Sequence, residues 1–157
     1  MIEQIYTYFT INMIYLWLNI GVLPFWFILI FFPNSKINQI FVASIFPILI
    51  LCSVYFYIII ELIKSGFDFR DIFYLYLGLD ELRSVFGNKN YLILFWIHFL
   101  AINLFCGGWI CKDSQKYIIP KFLMLIPLVV TYLVGPAGIF FYWFIRIFFS
   151  KKITLYE

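Results

Sequence analysis

The chain has 157 residues, 65% of them hydrophobic and only 12% charged, with a formal net charge of +3. A water-soluble domain carries roughly 25% charged residues, so the composition excludes one. A mild positive charge with no basic cluster argues against a nucleic-acid partner.

Four stretches lack any charged side chain: Gln4–Ser35, Ile37–Ile60, Asn90–Cys111 and Phe122–Ile145. Each is longer than the ~20 helical residues that cover a ~30 Å hydrocarbon core. The expected fold is therefore all-α: an integral membrane four-helix bundle forming a single domain over 1–157, with spans at about 5–32, 37–62, 91–111 and 121–149. Met1-Ile-Glu-Gln runs at once into apolar sequence, with no basic leader region and no small-residue cleavage site. The first span is thus expected to be retained, as in a multi-pass protein of the bacterial inner membrane.

Span 1 holds Asn19, Gly21, Pro24 and Trp26. Pro24 lacks an N–H and its ring crowds the preceding turn, which predicts a kink near Asn19–Gly21. Asn19 is a partner for a carbonyl freed there. In span 2, Pro47 predicts a second bend, and Tyr55 and Tyr57 sit near the end marked by Glu61, at the depth of an aromatic belt. The connection 64–89 is charged, yet Phe69, Ile72, Phe73, Tyr76, Leu79, Leu82 and Phe86 recur every three or four residues. That pattern reads as an amphipathic region lying on the membrane surface between spans 2 and 3, with Asp68 and Asp80 as N-caps and Gly78 and Gly87 as breaks. Span 3 carries Trp96, His98 and Asn103. Span 4 contains Gly135-Pro-Ala-Gly138, where small residues permit close helix approach and Pro136 predicts a kink or break.

With four crossings both termini share a side with 61–89. That side then holds Lys64, Arg70, Arg83, Lys89, Arg146, Lys151 and Lys152, against Lys36, Lys112, Lys116 and Lys121 on the other. The excess places both termini in the cytoplasm.

His98 is the only histidine, and an ionisable residue inside a span is a candidate catalytic group. Its bland alternative is a hydrogen-bonded packing histidine near the interface. Asn103, five residues on, lies roughly 140° round the helix, so the two do not share a face. It is a candidate for orienting a substrate, or else an interhelical hydrogen-bonding residue. Arg146 either snorkels to the interface, pairs with Glu61, or binds an anionic group. Cys52, Cys106 and Cys111 have poor metal spacing and read as free thiols. With one histidine and few acids, no metal site and no cofactor are expected. The aromatic richness follows from the Phe, Ile, Tyr, Asn and Lys usage of an AT-rich coding sequence as readily as from a pigment.

Trp96-Ile-His-Phe-Leu-Ala-Ile-Asn-Leu-Phe105, Gly107-Gly-Trp-Ile and Asp113-Ser resemble the ABA-deficient-four-like family of small four-span membrane proteins. So do Val22-Leu-Pro-Phe-Trp26 with Pro33, Tyr55 with Tyr57, and Gly135-Pro-Ala-Gly138, so the resemblance runs from about Asn19 to Arg146. Plant members are required to make neoxanthin from violaxanthin, opening a carotenoid epoxide to an allene. The resemblance implies an isomerase-type protein acting on a carotenoid or related isoprenoid. His98 would be the acid–base group, with Asn103 and Asn19 orienting the polar end and Trp26, Trp96 and Arg146 lining the site. The family carries an acid where this chain has Asn103, which puts any proton transfer at that position in doubt. The alternative is a non-catalytic membrane protein that binds lipid or pigment or assists a partner complex. Membrane lipid is the expected surrounding, and self-association is left open.

Overall fold

A computed structural model of the chain describes residues 10–42, 44–151 and 154. Residues 5–9 of the expected first span, and Lys152 at the far end, lie outside the described residues. Every regular element among them is helical. Helix α1 is Ile11–Phe31, and α2 is Phe46–Lys64, preceded by a π-helical turn at Asn38–Val42. A 3₁₀ helix, Phe69–Tyr76, and helix α3, Leu79–Phe86, fill the connection. Helix α4 is Lys89–Lys116, α5 is Lys121–Leu133 and α6 is Gly135–Ser150.

Three segments are long and apolar enough to cross a bilayer: Ile11–Phe31, Asn38–Lys64 and Lys89–Lys116. The expected fourth span is corrected. Region 121–149 is two helices of 13 and 16 residues, each short of the ~20 that a crossing needs. They part at Val134, which has a non-helical backbone (φ −144°, ψ 76°). The physical cause is the one the sequence supplies: Pro136 disfavours a helical conformation at the residue before it and has no N–H to continue the ladder, but fits the first turn of α6.

Other prolines behave differently. Helix α1 runs unbroken through Pro24, and Asn19 Nδ2 donates to its own preceding turn at Tyr15 O (2.7 Å). Pro47 falls in the first turn of α2, where its missing N–H costs nothing, so it does not bend a helix interior. Asn88 caps α4, accepting from the N–H groups of Asn90 (2.9 Å) and Tyr91 (3.3 Å). The helix then continues past the expected end at Cys111 to Lys116, a length of ~42 Å, which carries Asp113 within it.

The chain divides into two compact units, residues 1–21 with 49–100 and residues 22–48 with 101–157. In the first, Ile14, Leu18, Ile58, Leu62, Ile93 and Ile97 are buried. Phe86 and Phe67 meet Tyr91, joining the connection to α4 (5.6 and 5.8 Å between ring centroids). The connection keeps Phe73, Tyr74, Tyr76, Leu77 and Leu79 exposed. Asp68 caps the 3₁₀ helix as expected, accepting from Arg70 N–H (2.9 Å). Asp80 instead lies in the first turn of α3, with Gly78 at the cap position. In the second unit, Val22, Trp26, Leu29, Leu104, Ile110 and Leu128 form the core. Trp26 packs edge-on against Tyr132 (5.3 Å), and a Cβ on Gly107 would come 2.8 Å from its ring. Close approach of this kind is how apolar helices gain contact where lipid already satisfies their apolar surface.

Candidate functional site

The second unit concentrates its buried polar groups on facing sides of α4 and α6. Trp109, Asp113 and Tyr117 recur at four-residue spacing, which stacks them on one side of α4 as it ends. Tyr142 and Arg146 do the same on α6. Arg146 Nε donates to Asp113 Oδ2 at 2.7 Å, and the Tyr142 hydroxyl donates to the same oxygen at 2.7 Å. Arg146 also donates through Nη2 to the Tyr117 hydroxyl (3.2 Å) and through Nη1 to Thr154 O (3.1 Å). Its guanidinium lies 4.8 Å from the Tyr117 ring centre and 5.5 Å from that of Trp143, and Trp109 meets Tyr142 edge-on. The side chains of Arg146 and Asp113 are 1% and 9% exposed. A pair this buried is tolerable only with further hydrogen bonds on both ions, and here both have them.

Deeper along the same two helices lies Asn103, 4% exposed. Its amide is packed against Gly135, the first residue of α6, so closely that any Cβ there would meet it. At Gly138 a Cβ would strike the backbone of Thr131. In one straight helix those two residues would stand ~10 Å apart along the axis, so α5 and α6 fold against each other as a hairpin with its tip at Val134 and Gly135. The Thr131 hydroxyl is used within α5, donating to Pro127 O (2.7 Å).

Both feet of the hairpin stand at one end of the unit. Arg146 is at Asp113, and Gln115 Nε2 donates to Pro33 O (3.0 Å), tying the same end of α4 to the turn after α1. The alternative that Arg146 pairs with Glu61 is corrected: its carboxylate is Asp113. Glu61 instead pairs with Lys64 (2.8 Å) at the surface.

The remaining sequence candidates divide between the units. In the first, Trp96 Nε1–H donates to Asn19 Oδ1 (3.3 Å), and Tyr15 rests against the Trp96 ring (5.8 Å). Asn19 and Trp96 are thus brought together. His98 is exposed, and among the described residues it has no hydrogen-bond or ionic partner. It is not the packed, hydrogen-bonded histidine of the bland reading. In the second unit, Trp26 is a core residue, 3% exposed. Asp113, Tyr142 and Tyr117 are absent from the sequence candidates. The paired four-residue spacings 113/117 and 142/146 were the available signal.

Outside the spans, the Arg70 guanidinium beside Asp68 holds that carboxyl below the usual aspartate range.

A family model described as ABA DEFICIENT 4-like matches residues 13–142. No curated protein and no solved structure matches the chain. The match covers most of the chain, including His98, Asn103, Asp113, Gly135 and Tyr142, and the chain belongs to the ABA DEFICIENT 4-like family.

Proposed function

We propose that this member of the ABA DEFICIENT 4-like family is a multi-pass membrane protein that acts, as an isomerase, on a carotenoid or related oxygenated isoprenoid taken from the bilayer. The observation that carries the reading is the family match over residues 13–142. An epoxide-to-allene opening consumes no co-reactant. A proton leaves carbon, the C–O bond breaks with its electron pair going to oxygen, and that oxygen gains a proton. An imidazole is suited to such transfers, and the exposure of His98 on an apolar helix supports its meeting a substrate dissolved in lipid. Asn19 and Trp96, already hydrogen-bonded to each other, would flank a polar end group.

A specific observation favours a second reading, a non-catalytic binder of lipid or pigment. The buried charge of the second unit is spent on itself, since Asp113 is held by Arg146 and Tyr142. Expression in carotenoid-producing bacteria separates the two. The enzyme reading expects a new carotenoid isomer in extracts, abolished by His98→Ala. Unchanged pigment co-purifying at a fixed ratio supports the binder, and neither outcome removes the carotenoid link.

The hairpin supports a different orientation from the four-crossing one. A chain that crosses three times and then dips in and out on one side leaves its C-terminal end with Lys36, Lys112, Lys116, Lys121 and Lys151. Lys64, Arg70, Arg83 and Lys89 fall on the other side. The basic excess then puts the C-terminal end, and not both termini, in the cytoplasm. Impermeant thiol labelling of whole cells, with cysteines placed at Asp80 and at Lys121, tests this. Labelling at 80 and protection at 121 is expected, and the reverse contradicts it.

A further inference from the structure

At the hairpin tip the Asn103 amide packs against Gly135, and two donors there have no hydrogen-bond acceptor among the described residues. Asn103 Nδ2 is fully enclosed and has no hydrogen-bond partner among the described residues. Gly135, also buried, opens α6, so its N–H has no acceptor within that helix, and no carbonyl of α5 takes it. The N–H groups of Ala137 and Gly138 share Val134 O (3.0 and 3.3 Å), and no side chain caps the helix. At the start of a 16-residue helix the aligned peptides add a partial positive charge to this spot. At hydrocarbon depth an unmet donor is costly, because no solvent replaces the missing acceptor.

The site suits a neutral oxygen. An anion would need a neighbouring cation to offset its desolvation, and the guanidinium of Arg146 stands eleven residues further along α6, held by Asp113, Tyr117 and Thr154. Leu133, Val134 and Pro136, on either side of Gly135, are exposed, so the hairpin tip itself reaches the outer surface. From Pro136 an apolar groove of about 370 Å³ runs along α6 past Ile139, Phe140, Trp143, Phe144 and Ile147. Those eleven steps of helix span ~17 Å, room for the hydrocarbon part of the same molecule. The other enclosed, unpartnered amide atom, Asn38 Oδ1, is an acceptor and not a donor, and it does not line this groove.

We propose that the tip of the α5–α6 hairpin binds the acceptor oxygen of an otherwise apolar molecule, with Asn103 Nδ2 and Gly135 N–H as donors and the α6 groove holding its hydrocarbon chain. The donor pair stands on its own geometry, and only the isoprenoid nature of the chain rests on the function proposed above.

The test uses purified full-length protein in lipid nanodiscs with three probes: squalene monoepoxide, squalene as the oxygen-free control, and a diacylglycerol as a source of ester carbonyls. The epoxide should bind about tenfold more tightly than squalene, the value of one well-made buried hydrogen bond, and should shift the Asn103 side-chain amide resonances. In Asn103→Leu the epoxide should fall to the affinity of squalene, while squalene itself is unaffected. If that variant does not fold, the resonances of the unaltered protein decide alone. Equal binding of epoxide and squalene, or amide resonances that no oxygenated probe moves, would overturn the site and leave Asn103 satisfied by water. Binding of diacylglycerol in preference to the epoxide would uphold the donor site while removing the isoprenoid reading.

Discussion

Two regions of the same helix pair bury polar atoms in opposite states. At the end of α4, Asp113, Tyr142, Arg146 and Tyr117 answer one another, and the carboxylate oxygen Oδ2 alone accepts two hydrogen bonds. At the hairpin tip, Asn103 and Gly135 present donors with no acceptor among the described residues. The contrast shows where this chain spends its few polar side chains. Charges hold the hairpin to α4, and in the reading proposed above the neutral donors serve a molecule that enters from the bilayer.

The largest expected effect comes from breaking the closed region. Asp113→Ala leaves the Arg146 guanidinium buried and unpaired and should cost about 3–5 kcal/mol, seen as a lowered thermal midpoint in detergent. Replacing both partners, Asp113→Leu with Arg146→Met, should recover most of the loss, because no charge is then stranded. If the double variant is as unstable as the single one, the pair is not the clamp described. Asn103→Leu should behave oppositely. Removing an unmet donor and filling its space with a side chain of similar size should change stability by less than about 1 kcal/mol, measured in the same melt.

The smallest effect lies outside the spans, at the exposed cap of the 3₁₀ helix. The Asp68 carboxyl is depressed in the folded chain by Arg70. Its contribution is therefore present above the ordinary aspartate pKa of about 3.9 and is lost as pH falls through the lower folded value. Exchange of the Arg70 amide proton should lose protection over that acid range, with the rest of the chain unchanged. Uniform loss everywhere would contradict a local cap.

How much of this could be read from the residues varies with the physics involved. The three helices long and apolar enough to cross a bilayer were legible because hydropathy and length decide them, and so was the Asp68 cap. The break at Pro136 was legible too, but not that the chain doubles back there. Both arms are apolar, and only the close contact of Gly138 with Thr131 distinguishes a hairpin from a kink. Asp113 lay just past the uncharged stretch, between Lys112 and Lys116, and looked like part of a solvated end. The fate of His98 was hidden because α4 is apolar on nearly every side, so periodicity could not say which face turns outward. Asn103 was legible as a residue facing a neighbouring helix, but its missing partner is a property of packing that no spacing reports.

The most direct measurement sets the two regions side by side: thermal midpoint and squalene monoepoxide affinity for Asp113→Ala and Asn103→Leu in the same nanodiscs. The account predicts that Asp113→Ala loses stability, while Asn103→Leu keeps it and loses only its preference for the epoxide over squalene. A stability loss confined to Asn103→Leu, with epoxide preference intact, would contradict it.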